Sequence, residues 1–316
     1  MKKLVPLLIF LILFPACKGL QYGKKPKVTI ENSDIESITL TDMTMKFDIG
    51  IQNPYPIALS VSAINIDFMM ENNQLLKTSA PKGLKIKASG KETTSFNVNI
   101  RYEDMIKIVK DYMEKDYLDC VVNVEVIIPM PDIPGLDKNF SYQYALKKKL
   151  PALKPSFDVA DFKVELPPVT DLVKALTKSM NISLIDAAAY ASGQKKFGLS
   201  DLMKADIPVT IKFDMLMSNK TKAGLNFNLF NYDFSVNSER LVKGSSDKIS
   251  NSGKTSKMTV SNVINSKNLA GSFIKAHKAG KGNYAMKGEA SLKLPEVIQK
   301  KPVKFIIDTT GGLTIK

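Results

Sequence analysis

The sequence predicts a mostly β protein: two tandem antiparallel β-sandwiches, each with one helix, the second carrying a helical insertion over about 170–205. Two observations carry this. Apolar residues recur at alternate positions along much of the chain, the period of a strand whose every second side chain faces a core. When the chain is slid against itself by 166 positions, 44–79 aligns with 210–245 without a gap and twelve of the 36 pairs are identical, where chance gives about two. The length of 316 residues suits two domains of roughly 100–200 residues each. With 44% apolar and 24% charged residues, a disordered tail, a collagen and a multi-span membrane protein are excluded.

The first element is an export signal over 1–16. Lys2 and Lys3 precede an apolar run over 4–14, too short for the ~20 residues that a spanning helix needs. Phe14, Pro15, Ala16 and Cys17 then place a small residue directly before a cysteine, as in the lipobox of bacterial lipoproteins, although Phe14 and Pro15 depart from the usual residues. In that pattern the chain is cut before Cys17, which receives a diacylglycerol and an N-acyl chain. Such chains, at ~0.8 kcal/mol per buried CH₂, make a lasting anchor when two or three are present. A plain secretory signal is the competing reading. Residues 17–26 form the tether. Cys120, in the run Leu118, Cys120, Val122, Val124, then has no partner, so a buried inert thiol is expected and a disulfide framework is not.

The first sandwich is placed at 27–150. Its repeat partners include Lys46, Phe47 and Asp48 with Lys212, Phe213 and Asp214, and Asn65, Asp67 and Phe68 with Asn231, Asp233 and Phe234. Alternation runs through Ile57, Leu59, Val61 and Ala63, then slips by one to Ile64, Ile66, Phe68 and Met70. The second copy slips at the same place, from Ala223, Leu225, Phe227 and Leu229 to Phe230, Tyr232, Phe234 and Val236. An extra residue there predicts a β-bulge or a bend to the other sheet near Ala63/Ile64 and Leu229/Phe230, with both sets buried. Turns follow at 71–74 and 237–240, then polar Gly90-Lys91 and Gly253-Lys254. Next come strands through Thr94, Phe96, Val98 and Ile100 and through Met258 and Val260. Helix-like stretches at 103–115 and 266–278 precede closing strands at 118–128 and 140–146, and at 284–294 and 303–307.

Pro151 and Pro155 mark a stiff linker over 151–160, followed by the second sandwich at 161–316. The second copy gains about thirty residues, since 28–44 spans 16 positions and 164–210 spans 46. The added segment reads as a helix from Asp171 with Leu172, Leu176 and Met180 on one face. A second helix, capped by Ser183 with Asp186, ends at Gly193.

The segment 47–59, with Asn53-Pro54, Pro56 and Leu59 inside a strand pattern, resembles the water-stress and hypersensitive-response domain of the type 2 late embryogenesis abundant proteins. Through the repeat the resemblance extends to the second copy, which keeps Asn219 and Leu225 but has Lys220 in place of the proline. It implies fibronectin-III-like sandwiches, no enzymatic activity, and an association with desiccation or stress tolerance. The residues also have a plain structural reading: Pro54 cannot donate to a ladder and ends the strand, and Asn53 caps the turn. Ligand contact is the alternative.

No metal motif, phosphate loop, nucleophile elbow or dinucleotide fingerprint occurs, so neither an enzyme nor a cofactor is expected. His277, the single histidine, cannot build the usual zinc sites and is expected on the solvated surface. Asp132, Asp137 and Asn139 around Pro134-Gly135 lack EF-hand spacing and read as a hairpin turn, so no metal is expected. Charge is uneven: 24–150 holds 17 basic and 17 acidic side chains, whereas 151–316 holds 25 and 14. Lys275, Lys278 and Lys281 are candidate contacts for anionic lipids or an acidic envelope polymer, against a merely solubilising face. Nucleic acid is not expected as a partner, because Lys outnumbers Arg and the chain is exported.

The resulting expectation is a non-catalytic, lipid-anchored protein of the bacterial envelope, on the inner or outer membrane and facing periplasm or cell surface. It would protect against stress by binding surfaces or clients. The alternatives are a carrier or transfer module holding a lipid or other apolar ligand between its sheets, with the insertion as lid, and a structural adaptor for an envelope complex.

Overall fold

The computed structural model describes residues 25–79, 84–129, 138–195, 205–269 and 271–315. The export signal, Cys17, Asp132, Pro134, Gly135 and Asp137 lie outside them.

In the first copy, β1 (Lys27–Ile38), β2 (Asp42–Gln52) and β7 (Lys91–Arg101) form one sheet. The other contains β4 (Ala63–Met70), β5 (Asn73–Ser79), β8 (Tyr117–Pro129) and β9 (Asn139–Pro151) in the order β5-β4-β8-β9. Short strands β3 (Leu59–Ser60) and β6 (Lys85–Ile86) pair at a corner, and α1 (Tyr102–Ile108) links the sheets. The second copy begins with β10 (Pro155–Glu165), then α2 (Val169–Met180) and α3 (Leu184–Ala191). It repeats the plan with β11 (Pro208–Asn219), β12 (Phe227–Val236), β13 (Glu239–Ser246), β14 (Ser250–Ser252), β15 (Thr255–Asn265), α4 (Gly271–Ala279), β16 (Lys281–Leu292) and β17 (Val303–Thr314). Its sheets read β10-β11-β15-β14 and β13-β12-β16-β17. The fold is therefore mostly β, two tandem sandwiches with the helical insertion in the second.

The repeated phenylalanines explain why both copies fold alike. Phe47 and Phe68 come from opposite sheets and meet edge to face at 5.7 Å, and their counterparts Phe213 and Phe234 stack at 4.4 Å. All four are buried. Each such side chain contributes ~2–3 kcal/mol by leaving water, so each pair pins one sheet onto the other.

At the phase slip the two copies differ. In the first, Leu59 pairs with Ile86, then the Ser62 N–H donates to the Ile127 carbonyl and β4 joins β8, so the chain changes partners at Val61–Ser62. In the second, the β12–β16 ladder is bulged between Phe227 and Leu229. Both irregularities fall about two residues before the expected positions. Most of both apolar sets is buried, but Ile57 and Leu229 are 37% and 39% exposed, because the extra residue turns Leu229 outward. The hairpins after the slip are tight two-residue turns. Glu71, Asn72, Asn237 and Ser238 all have positive φ, which matches the twist of the paired strands.

Several expected boundaries move. The stretch at 103–115 divides into α1 and a 3-10 turn at Tyr112–Glu114, because Asp111 takes a left-handed φ of 54°. The stiff linker expected over 151–160 is largely strand: β9 runs through Pro151 and β10 starts at Pro155. Only 152–154 connect them, with Ala152 and Leu153 fully buried. The insertion is longer than the spacing suggested. Val28 stands opposite Ile51 and Phe157 opposite Met217, so Phe157 and not Val164 is the counterpart of Val28. Ser37 and Glu165 face Thr44 and Thr210, giving connections of 7 and 45 positions. Within it α2 starts at Val169 rather than Asp171, and the Ser183 hydroxyl accepts the Asp186 N–H at 3.1 Å to cap α3. Leu172, Leu176, Ala187, Ala205 and Ile207 form a small core of their own.

The copies are joined edge to edge. β1 pairs in parallel with β17 through Ser37–Lys304 and Ile38–Phe305, producing one seven-stranded sheet, β13-β12-β16-β17-β1-β2-β7. Next to this seam the Gln299 amide accepts the Ile35 N–H at 2.7 Å and donates to the Ile35 carbonyl at 3.2 Å, standing in for one more strand residue. The main core runs through both copies.

Candidate functional site

The Asn-Pro segment is a brace. Asn53 is buried; its side-chain amide donates to the carbonyls of Ile57 at 2.6 Å and Lys87 at 3.0 Å and its oxygen accepts the Tyr55 N–H at 2.9 Å. Its own N–H donates to the Gly90 carbonyl at 2.8 Å. One side chain thus satisfies three backbone groups where β2 ends. Pro54 is half-buried, Pro56 exposed, and Leu59 and Leu225 belong to the core.

Asn219 repeats the bond to the carbonyl four residues on and takes different partners for the rest. Its amide donates to the Ala223 carbonyl at 2.8 Å, the Thr221 hydroxyl at 2.7 Å and the Ala152 carbonyl at 3.3 Å, while its oxygen accepts the Lys154 N–H at 2.7 Å. The Thr221 hydroxyl donates to the Ala152 carbonyl at 2.5 Å. The departure from proline has a cause, since the Lys220 N–H donates to the Lys154 carbonyl at 3.1 Å and a proline has no such hydrogen. The second motif therefore grips the connection between the copies. From the other side, the Tyr112 hydroxyl donates to the Leu153 carbonyl at 2.8 Å and accepts its N–H at 2.9 Å. Lys222 pairs with Glu114 at 3.0 Å, and this bond and charge hold the Glu114 carboxyl below its usual range.

The basic face lies at the far end of the second copy. α4 buries Phe273, Ile274 and Ala276, which leaves Lys275 and Lys278, three positions apart, on its outer side. Lys281 opens β16 just beyond Gly280 and is also exposed. Some lysines of this copy are paired, as Lys257 is with Asp214 at 2.6 Å and Lys287 with Asp308 at 3.5 Å. Among the described residues, Lys275, Lys278 and Lys281 have no such carboxylate. His277 is half-buried, its ring 6.5 Å from that of Phe273, because α4 turns it partly toward the sandwich. Cys120 is buried, and burial pushes its thiol up to about 12, far from a reactive thiolate. Sequence reasoning passed over the outward residues Asn65, Asp67 and Glu125. The available signal was that two of them recur as Asn231 and Asp233 at positions the core does not constrain.

No protein-family model matches the chain. Over 134 residues, 42% of this chain and 87% of the relative, it is 20% identical to the desiccation-related protein PCC27-45 of Craterostigma plantagineum. The solution structure of an Arabidopsis thaliana protein matches 40% of this chain and 82% of its own at 16% identity, with a TM-score of 0.33. A crystal structure from Archaeoglobus fulgidus matches 40% and 95% at 11% identity and 0.30. The solution structure of a protein described as late embryogenesis abundant matches 41% and 74% at 17% identity and 0.34. Over about the length of one sandwich, this chain is similar in sequence to a desiccation-related protein.

Proposed function

We propose that this chain is a non-catalytic, lipid-anchored protein of the bacterial cell envelope, of the late embryogenesis abundant type 2 kind in two copies. In this reading it protects against stress or desiccation by binding surfaces or clients. The observation that carries the reading is the similarity to the desiccation-related protein over 134 residues. Cys17 would bear the acyl chains, with the tether holding the first sandwich near the membrane. Lys275, Lys278 and Lys281 would meet anionic lipids or an acidic polymer. The carrier alternative asks for free volume between the sheets, where Phe47, Phe68, Phe213 and Phe234 are packed instead.

Two measurements test this. The full chain should preserve the activity of a test enzyme through drying or freezing better than an equal mass of an inert globular protein; equal protection by that control removes the stress reading. Cys17→Ser should abolish labelling by radioactive palmitate and partition into the aqueous phase. Retained label would end the anchor assignment.

A further inference from the structure

The outer face of β5-β4-β8-β9 carries a concavity of about 660 Å³, within the 300–1,000 Å³ usual for small-ligand sites. Two cross-strand rows make its floor. Ser79, Asn65, Glu125 and Gln143 stand side by side in one, and Lys77, Asp67, Asn123 and Ala145 in the other.

The first row is bonded within itself. The Ser79 hydroxyl donates to Asn65 Oδ1 at 2.9 Å, Asn65 Nδ2 donates to Glu125 Oε2 at 3.0 Å, and Ser141 donates to Glu125 Oε1 at 3.0 Å. Those bonds hold the Glu125 carboxyl below its usual range, so it remains a charged acceptor at neutral pH. The second row is open. Asp67 Oδ1 is shielded from solvent yet accepts no hydrogen bond among the described residues, an arrangement that native structures rarely leave unexplained.

The second copy supplies the contrast, because the same rows recur there as Ser245, Asn231 and Glu289 and as Lys243, Asp233 and Lys287. Its carboxylates are occupied. Arg240 donates to Asp233 Oδ1 at 3.1 Å and Oδ2 at 2.8 Å, and Lys304 lies 3.5 Å from Glu289. The position of Arg240 is Gln74 in the first copy, which leaves Asp67 without that cation.

We propose that the first-copy concavity binds a neutral, hydroxyl-rich small molecule, a saccharide or polyol, with Asp67 accepting hydroxyl hydrogens through its other, unshielded oxygen Oδ2 while Asn123 and Lys77 donate to hydroxyl oxygens. Hydroxyls both donate and accept, and the floor alternates acceptors with donors in the same way. Lys77 opposite Asp67 offsets its charge, which disfavours a polycation, and the side chains of both rows are too polar for a lipid tail. This inference does not rest on the stress-protection reading.

The test titrates trehalose into the full chain in a sugar-free detergent, followed by saturation-transfer NMR, with spermidine as the charged comparator. Saturable trehalose binding is expected, weakened about tenfold or more by Asp67→Asn and also by Asn123→Ala. Asp233→Asn should leave it unchanged, and unaltered melting curves will show that the variants are folded. Three results would overturn the proposal: a trehalose response that never saturates, equal binding by Asp67→Asn and Asp233→Asn, or saturable binding of spermidine in place of trehalose.

Discussion

The two sandwiches are built on the same core pattern and differ in their connections and in the pairing of their outward side chains. Phe47 with Phe68 and Phe213 with Phe234 both span the sheets, and Asn53 and Asn219 end β2 and β11 with the same bond to the carbonyl four residues on. The connection after the first strand takes 7 positions in one copy and 45 in the other, Pro54 becomes Lys220, and Asp67 stands open where Asp233 is paired with Arg240. Packing and buried backbone bonds therefore hold a repeat together while loops diverge and outward residues, even where identical, take different partners. Two divergent lysines have a local partner: Lys220 has the Lys154 carbonyl and Lys222 has Glu114, both at the junction that only the second motif touches.

The largest effect should come from the shared phenylalanines. Phe47→Ala and Phe213→Ala should each cost about 3–5 kcal/mol, as large-to-small core changes do. Because the seam and a common core join the copies, both variants should lower one shared calorimetric transition. Two separate transitions, with only one displaced, would break the picture of a single body.

The charge contrast comes next. Replacing Lys275, Lys278 and Lys281 by Gln in the full chain should weaken binding to anionic vesicles by roughly two orders of magnitude, at ~1 kcal/mol per lysine if all three touch the surface. Wild-type binding should fall steeply as salt shortens the screening length from ~30 Å at 0.01 M to ~8 Å at 0.15 M. Binding that is unchanged in the triple variant would leave the basic face a solvated surface only.

A sharper comparison sets Asn219→Ala against Asn53→Ala. Both strand buried backbone groups at about 1–3 kcal/mol each, and Asn219→Ala should be the more damaging by about 1 kcal/mol because it also removes the bond to the buried Thr221 hydroxyl. Lys220→Pro should cost about 1 kcal/mol by deleting the bond to Lys154. Urea midpoints at constant m-value would measure all three, and equal losses for the two asparagines would refute the extra grip.

The smallest effect is a shared acid limb. At Asp214, burial raises the pKa, but hydrogen bonds from Lys257 and Thr259 and the charges of Lys257 and Lys212 outweigh it, so the carboxyl lies below its usual range. Asp48 is lowered chiefly by the Ser95 hydroxyl against a smaller burial effect. A depressed folded-state pKa adds stability that is present above the ordinary carboxylate value of about 4 and is lost as pH falls below it. Asp48→Asn and Asp214→Asn should each lower Tm less at pH 3 than at pH 7. A loss independent of pH would show that neither carboxylate contributes through its charge.

Much of this architecture was legible from residues alone. A strand has period two, so alternation exposed β4, β7, β8, β9, β12, β15, β16 and β17 and the slip in each copy, whereas β1, β5, β10 and β13 were not read from it. The repeat offset identified the paired phenylalanines and asparagines before any coordinates, and Ser183 with Asp186 marked the start of α3. Boundaries were harder: β9 and β17 run on to Pro151 and Thr314 because their ladders continue past the last apolar residue of the pattern. The candidate site was less legible still. Asn65, Asp67 and Glu125 read as a solvated strand face, and only cross-strand register brings them into one concavity.

Local sequence specifies what repeats within a few residues: strand periodicity, turn positions, helix caps, and which side chains face inward. Tertiary structure alone decided which sheet edges meet. Strand edges pair through backbone N–H and C=O groups that every residue carries, so nothing local to Ser37 and Ile38 names Lys304 and Phe305 as partners. The same holds for Gln299, whose bonds to Ile35 cross 264 positions, and for the buried linker at Ala152 and Leu153. Those contacts depend on both sandwiches bringing the edges within reach.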